Sequence, residues 1–499
     1  MESRYYFIAL WFIGGMNTIS ASPTPLGPCD PISAKTGCSQ CSERGPCLDD
    51  TFPFEPGYFN STNVTITCRV GGHCISGSVP IDPWLTFALK TQREIQIDEP
   101  LEMLQLFDAH NAFNSRADGY ADYDTCQWPP PYDPLCVGVA NQEFAFTDLL
   151  NMGVRGLEID IWWCYDEMRM AHLNLEYSLV CLPTNRLFRD GLKEIGDWFD
   201  VPGNENEILR LYINEKYNQS HDDMVNGPIK NYLGDRVLTP NDLKDEFKGK
   251  WPTMRRMRET GKTVVITNSN SDFMHGGIYF HPIYWSDRSV RNFDGYPNCN
   301  GRTANTALRF YGDLQIYNNI LLSCRPFYNG PRSTGVLFNL TDHVRCGVQF
   351  PAGDMINPDF MRTGVYTWDE GEPSIELTQQ SCVFISLSTR RWHATNNCEQ
   401  KLSIACQSTT DQDIWLLGRK SGAFGNKECK TGYTYSIPKN GFQQEKILEL
   451  LTSQDNEVWI DYSPWLPQDS PGSAAPLATF KSEILKNVVM TIALFIFFF

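Results

Sequence analysis

From about residue 99 onward, short apolar runs alternate with amphipathic stretches. Met103-Leu-Gln-Leu-Phe107, Gly156-Leu-Glu-Ile-Asp-Ile161, Ile208-Leu-Arg-Leu-Tyr-Ile213 and Thr263-Val-Val-Ile-Thr267 have the length and apolar content of buried strands. Between them, residues 143–152 read as a helix that stops at Gly153, a residue suited to the left-handed backbone just past a helix end. Residues 187–199 repeat apolar side chains at helical spacing, and Pro202-Gly203 breaks that pattern before the next strand. Strand and helix in turn predict parallel strands joined by crossover helices, in either a barrel or a doubly wound sheet. No glycine-rich phosphate loop follows the first strand, which disfavours a nucleotide-binding sheet and a nucleotide cofactor. The expected fold is an α/β barrel of the TIM (β/α)8 type over residues 96–371.

The pattern changes on both sides of that region. Residues 22–95 are rich in Cys, Pro, Gly and Thr and lack long periodic runs, so they read as a disulfide-rich N-terminal module. Residues 372–463 form a Cys-containing C-terminal extension, followed by a Pro-, Ser- and Ala-rich linker at 464–473. At the start, Glu2 and Arg4, an apolar run over 5–15 and the small residues Ser20, Ala21 and Ser22 match a cleavable secretory signal ending at Ala21. At the other end, small residues at 470–475, a spacer and an apolar run over 488–499 have the layout of a GPI-attachment signal. That last run is too short to span a bilayer as a helix, which takes about 20 residues. Ser473 is the expected attachment residue, with Gly472 as the alternative, and residues 474–499 the removed propeptide.

Charge and cysteine content narrow the partners. The chain has 499 residues, and its 42 Lys and Arg against 59 Asp and Glu give a net charge of −17. This argues against a nucleic-acid partner, because affinity for phosphate backbones needs clustered cations. Seventeen cysteines suit the secretory route, and the odd number leaves at least one thiol free or paired between chains. Asn60, Asn63, Asn218 and Asn339 each begin a glycosylation sequon.

The polar residues at the strand ends carry the chemistry. Asp108, His110 and Asn111 follow the first run, Glu158 and Asp160 lie within the second, and Glu215 closes the third. In a parallel barrel these positions converge on the carboxyl end of the strands, where such folds build active sites. Glu158 and Asp160 are two apart on one strand and point the same way, an arrangement that needs a cation or proton between them. With Asn111 and Glu215 they offer an all-oxygen shell suited to Ca²⁺ or Mg²⁺ rather than zinc. The competing reading is an ion-pair network with Arg155, Arg169, Arg210 or Lys216. His110 and His172 beside this cage fit an acid/base pair working near pH 7.

These strings resemble the catalytic X region of phosphoinositide-specific phospholipases C. The likeness runs through Asp108-Ala-His-Asn111, Gly153-Val-Arg-Gly-Leu-Glu-Ile-Asp-Ile-Trp162, Met170-Ala-His-Leu173 and Leu211-Tyr-Ile-Asn-Glu215. It implies a TIM-type barrel with His110 and His172 as catalytic histidines, and Asn111, Glu158, Asp160 and Glu215 as Ca²⁺ ligands. It also implies cleavage of a phosphatidylinositol-like phosphodiester, and the terminal signals, read separately, would place that site on the outer face of the plasma membrane through the GPI anchor. Rival readings are a glycerophosphodiesterase or GPI-cleaving enzyme on the same barrel, and a non-catalytic surface recognition protein.

A long insertion with Cys126, Pro129-Pro-Pro131 and Cys136 separates the first two runs and is expected to form a disulfide-pinned lip. Trp368-Asp-Glu-Gly-Glu-Pro373, Cys382, Trp392, Cys398 and Ala405-Cys406 resemble the closing part of a C-type lectin-like domain. Ser374 stands where sugar-binding members have Asn. The alternative is that Trp368 ends a late barrel strand and the cysteines staple the tail, with Cys398 paired to Cys382 or Cys406.

Overall fold

The computed structural model describes residues 77–462, apart from 78, 119–140, 143, 172–180, 182–184, 217–218, 269–277, 290–292, 300–301, 303–306, 313–339, 424 and 426–427. Of the expected N-terminal module, residues 77 and 79–95 are described, and they differ from the expectation: Pro83–Glu94 is an α-helix whose Leu85, Ala88 and Leu89 enter the same core as Leu157 and Ile159. The rest of that module, the signal, the linker and GPI signal with Ser473, the Cys126/Cys136 lip, His172, and the sequon asparagines Asn60, Asn63, Asn218 and Asn339 lie outside the described residues.

The main sheet contains β1 (Asp108–Ala109), β2 (Gly156–Cys164), β3 (Glu167–Met170), β4 (Leu209–Lys216), β5 (Val264–Asn268), β6 (Phe280–Pro282), β7 (Trp285–Ser289), β8 (Ala307–Tyr311) and β9 (Phe350–Gly353). Its order is β6-β5-β4-β2-β1-β9-β8-β7, with β3 hairpinned onto β2. All pairs along that path are parallel. The strands at its two ends, β6 and β7, are consecutive in the chain and separated only by Ile283 and Tyr284. Both strands run the same way and a two-residue link is far too short for a crossover between parallel neighbours, so β7 continues β6 end to end and the sheet curls back on itself into a barrel-like wall. This is the expected α/β class with two departures: β6 passes to β7 without a helix, and β2 runs on into a hairpin. Tyr165 and Asp166, both at positive φ (52° and 57°), make that hairpin's two-residue turn.

The pattern of burial explains these elements. All five residues of β5 are buried, as a strand covered on both faces requires. The helix Phe188–Phe199 turns Phe188, Leu192, Ile195 and Phe199 into the core at helical spacing. The helix expected at 143–152 is confined to Phe146–Asn151, and Gly153 follows it at φ 104°. The first strand is shifted from the run at 103–107: Leu101–Met103 is a 3₁₀ turn and the ladder lies at Asp108 and Ala109. Hydrogen bonds from Leu106 N to Gln349 O (2.8 Å) and Arg155 N to Phe107 O (2.7 Å) carry the pairing back toward Leu104.

A second sheet follows, made of β10 (Cys382–Ser386), β11 (Trp392–Thr395), β12 (Ser403–Ser408), β13 (Trp415–Leu417), β14 (Tyr433–Tyr435) and β15 (Glu457–Ile460). Its order is β11-β10-β15-β12-β13, with β14 on β12. Cys382 bonds Cys398 and Cys406 bonds Cys429, which resolves the pairing of Cys398. Trp368 forms a bridge to Trp392 of this sheet, so it does not end a barrel strand. The two sheets share one apolar core, in which Trp368, Trp392 and Ile385 join Leu157 and Ile159. Polar clamps fix the junction: Trp368 Nε1 donates to Thr91 Oγ1 (3.0 Å), and Trp392 Nε1 donates to Gln444 Oε1 (2.6 Å). The helix Gly441–Leu448 seats so closely on the helix Leu340–Arg345 that a Cβ on Gly441 would lie 2.4 Å from Val344 O.

Candidate active site at the carboxyl end of the barrel

The interior of the barrel is layered by strand register. Asp108 of β1 pairs with Gly156 of β2, and Gly156 with Arg210 of β4. A Cβ on Gly156 would lie 1.8 Å from Asp108 Oδ1, so glycine leaves the room in which that carboxylate crosses the barrel. Arg210 Nη1 donates to both Asp108 oxygens (3.0 and 3.2 Å), while its guanidinium lies over Phe350 and Trp285. One layer higher, Glu158 pairs with Tyr212, and Asp287 of β7 with Arg309 of β8. Above that stand Asp160 with Asn214, and Ser289 with Tyr311.

The upper layers open into a cavity of about 270 Å³ lined by His110, Asn111, Glu158, Asp160, Tyr212, Asn214, Asp287, Arg309 and Tyr311. Among the described residues, the sequence therefore brought His110, Asn111, Glu158 and Asp160 to one place. Asn111 sits in the turn after β1 at φ 43°, a conformation Asn tolerates better than most residues. The next N–H, from Ala112, donates to Glu158 O (2.8 Å) and ties that turn to β2. Glu215 lies in β4 in register with Ile161, but its side chain is outside the described set. Ala171, which precedes His172, donates its N–H to Asp160 O (3.1 Å). Farther along that segment, Cys181 is bonded to Cys164 at the end of β2.

The ionic partner of Glu158 is Arg309, which the sequence reading passed over. Arg309 Nη2 bonds Glu158 Oε2, Nη1 reaches both Asp287 oxygens (3.0 and 3.2 Å), and Nε lies 3.4 Å from Asp108. Burial alone would raise Glu158, but the Arg309 guanidinium, followed by His110, holds it below the usual carboxylate range. Asp287 keeps the opposite direction: burial raises it and Arg309 offsets only part of that. Of the partners considered from sequence, Arg210 serves Asp108, Arg155 serves Glu207, and Arg169 donates to Asn185 O (2.8 Å). The side chain of Lys216 is outside the described set.

Asp354, just past β9, was also missed. Its Oδ1 lies 2.8 Å from His110 Nδ1 and accepts from Asn141 Nδ2 (3.1 Å). A proton on Nδ1 donated to this carboxylate leaves Nε2 as the working nitrogen, and Nε2 is the edge nearest Glu158, at 4.0 Å. Both omissions carried a signal. Arg309 interrupts an apolar strand, and Asp354 follows one directly, the same placement that marked Glu158 and His110.

The donor set facing the cavity is oxygen-only in the amide of Asn111 and the carboxylates of Glu158 and Asp160, the chemistry of a hard cation. Glu158 already accepts from Asn214 Nδ2 (2.9 Å) and from Arg309, and among the described residues no group of three His, Cys, Asp or Glu side chains closes on one point. The residues fit Ca²⁺ or Mg²⁺ in donor type, with Arg309 as a competing cation at Glu158.

No known family profile matches the chain. An uncharacterized protein of Mycobacterium tuberculosis is 20% identical over 413 residues, covering 77% of this chain and 80% of that protein. Maintenance of telomere capping protein 6 of Candida tropicalis is 23% identical over 211 residues, covering 32% and 35% of the two chains. Among solved structures, phosphatidylinositol-specific phospholipase C from Listeria monocytogenes aligns over 55% of this chain and 97% of its own, at 15% identity and a TM-score of 0.33. A calcium-dependent phosphoinositol-specific phospholipase C from Pseudomonas sp aligns over 54% and 92%, at 14% identity and a TM-score of 0.29.

Proposed function

We propose that the chain is a phosphodiesterase of the phospholipase C type acting on a phosphatidylinositol-like lipid. The observation that carries this reading is His110, held through Nδ1 by Asp354, at the edge of a cavity that also presents the Arg309 guanidinium. The carboxylate partner makes the imidazole more basic and stabilises its protonated form, so His110 takes the proton from a headgroup hydroxyl as that oxygen attacks phosphorus. The bond from phosphorus to the diacylglycerol oxygen breaks, and His172 returns a proton to the departing oxygen. Arg309 faces the negative charge that builds on the phosphoryl oxygens. In this reading Asn111, Glu158, Asp160 and Glu215 hold Ca²⁺ or Mg²⁺, which when bound lowers the pKa of the attacking hydroxyl and neutralises phosphoryl charge. The terminal sequences would take this site through the secretory pathway to a GPI anchor at Ser473 on the outer cell surface, with treatment by a GPI-cleaving enzyme as the check.

The test is release of phosphorylated headgroup from phosphatidylinositol, phosphatidylcholine and glycerophosphoinositol, with and without chelator. Turnover of the inositol lipid is expected, lost on chelation and in Glu158→Gln. No turnover of any diester in the presence of Ca²⁺ overturns the enzyme, and turnover that ignores both chelator and Glu158→Gln overturns the metal role.

A further inference from the structure

Asn141 is wholly buried, with 0% of its surface exposed, and it ties together residues from two turns that flank the candidate site. Its backbone N–H donates to Asn114 O (2.9 Å) in the turn after β1, and its carbonyl accepts from Met355 N (2.7 Å) in the turn after β9. The next residue, Gln142, clamps the same two turns. Its Nε2 donates to His110 O (2.8 Å) and Gly353 O (2.9 Å), and its Oε1 accepts from Ile356 N (3.2 Å). The Asn141 side chain therefore starts from a backbone that is held on both sides.

Three hydrogen bonds set how that side chain is turned. Nδ2 donates to Asp354 Oδ1 (3.1 Å), while Oδ1 accepts from Asn114 Nδ2 (2.6 Å) and Asn111 Nδ2 (3.3 Å). A carboxylate only accepts, so Asp354 requires the nitrogen of Asn141 on its side and leaves the oxygen for the other two amides. That oxygen in turn requires the nitrogen of Asn111. The Asn111 amide, on the cavity wall, is left with Oδ1 turned away from this clamp. An amide binds a hard cation through its oxygen, so the clamp selects the end of Asn111 that a cation needs. The carboxylate that starts this chain of constraints is the one that lies 2.8 Å from His110 Nδ1.

We propose that Asn141 is a positioning residue that orients the Asn111 amide for a divalent cation and, through its other end, steadies Asp354 against His110. The inference rests on the phosphodiesterase reading and adds to it the group that sets two of its parts at once. Without the Asn141 oxygen the Asn111 amide is free to turn over and present N–H groups that repel a cation. Without the Asn141 nitrogen, Asp354 loses a donor that fixes it beside the histidine.

The experiment measures Ca²⁺ binding to the full chain by calorimetry without lipid, beside kcat on phosphatidylinositol and melting temperature. Glu158→Gln serves as the blank that identifies heat from this site. Asn141→Leu, which keeps the branched shape without polar atoms, should weaken Ca²⁺ binding about tenfold or more and lower kcat at least as far. Asn141→Asp keeps an acceptor for Asn111 and Asn114 but turns an oxygen toward Asp354. It should hold Ca²⁺ affinity within about threefold of wild type while kcat falls about tenfold or more. In an Asn111→Asp background either oxygen can meet the cation, so adding Asn141→Leu should change the affinity by no more than about twofold.

Unchanged Ca²⁺ affinity in Asn141→Leu overturns the inference. Equal losses from Asn141→Leu with and without Asn111→Asp also overturn it, because a purely structural role gives that additivity. If Asn141→Leu does not fold, Asn141→Asp carries the test: affinity kept with kcat lost supports the inference, and both kept or both lost overturns it. Should no lipid be turned over, the phosphodiesterase reading falls, while the Ca²⁺ measurements still decide the inference. Absence of Ca²⁺ binding to the wild type overturns it.

Discussion

Two clusters of buried arginine and carboxylate sit at opposite ends of the same strands. At the amino end, Arg93 and Arg155 share Glu207 at 3.1 and 2.9 Å, and Arg155 Nη1 also donates to Leu150 O and Val154 O, both at 2.7 Å. At the carboxyl end, Arg309 is shared by Glu158, Asp287 and Asp108. Residue types and burial are alike, yet only the second cluster lines the cavity that holds His110. Arg155 immediately precedes β2 and Glu207 precedes β4, which places their cluster on the face that stabilises such barrels, not the one that reacts. A buried ion pair is therefore no marker of a site until its position along the strand is known.

Replacing each cluster's arginine should separate them most widely. Arg309→Met leaves Glu158 and Asp287 without their cation, while Asp108 keeps Arg210, and turnover should fall roughly a thousandfold along with a loss of about 3–5 kcal/mol of stability. Arg155→Met should cost a similar 3–5 kcal/mol while kcat of the folded fraction stays within about twofold, checked by denaturant titration beside the lipid assay.

Next in size is Asp354→Asn, which keeps the shape beside His110 but not the charge. It should lower kcat roughly ten- to a hundredfold with little change in KM, and move the acidic limb of the pH–rate profile, which reports the general base, to lower pH, a shift that a merely structural contact would not cause.

The amino-end cluster has its own pH signature. Burial would raise Glu207, but Arg155 and Arg93 outweigh it and hold the group well below its ordinary value of 4.5. Its folded pKa lies below the unfolded one, so its contribution is complete above that ordinary value and disappears as pH falls through the folded pKa. Glu207→Gln should therefore flatten the loss of stability below pH 4.5, measured as melting temperature against pH.

Smallest in effect on activity is the double variant Cys382→Ser, Cys398→Ser. It opens a bridge with a sequence separation of 16, lowering stability by about 3 kcal/mol while turnover per folded molecule is retained.

The same contrast shows what the sequence makes legible. Periodicity exposed β2, β4 and β5, because strands buried on both faces must be apolar runs, and it exposed Glu158 and Asp160 because acids inside such a run are costly without a reason. It displaced β1, whose ladder is two residues long and is fixed by neighbours far away in the chain. Arg309 and Asp354 stayed hidden for a related reason. Their partners Glu158 and His110 are 151 and 244 positions away, and only barrel closure brings them together. The separation of the two arginine clusters was likewise beyond local pattern, since Arg155 and Arg210 each flank or enter a strand and look equally placed for Glu158.

The most direct measurement sets His110→Ala beside Glu207→Gln in one experiment that records both phosphatidylinositol turnover and melting temperature. The predicted result is a crossing: His110→Ala loses turnover roughly a thousandfold with its melting temperature nearly unchanged, whereas Glu207→Gln melts lower and turns over normally while folded. Retained turnover in His110→Ala, with the protein folded, would contradict the claim that the carboxyl-end cavity is where the chemistry happens.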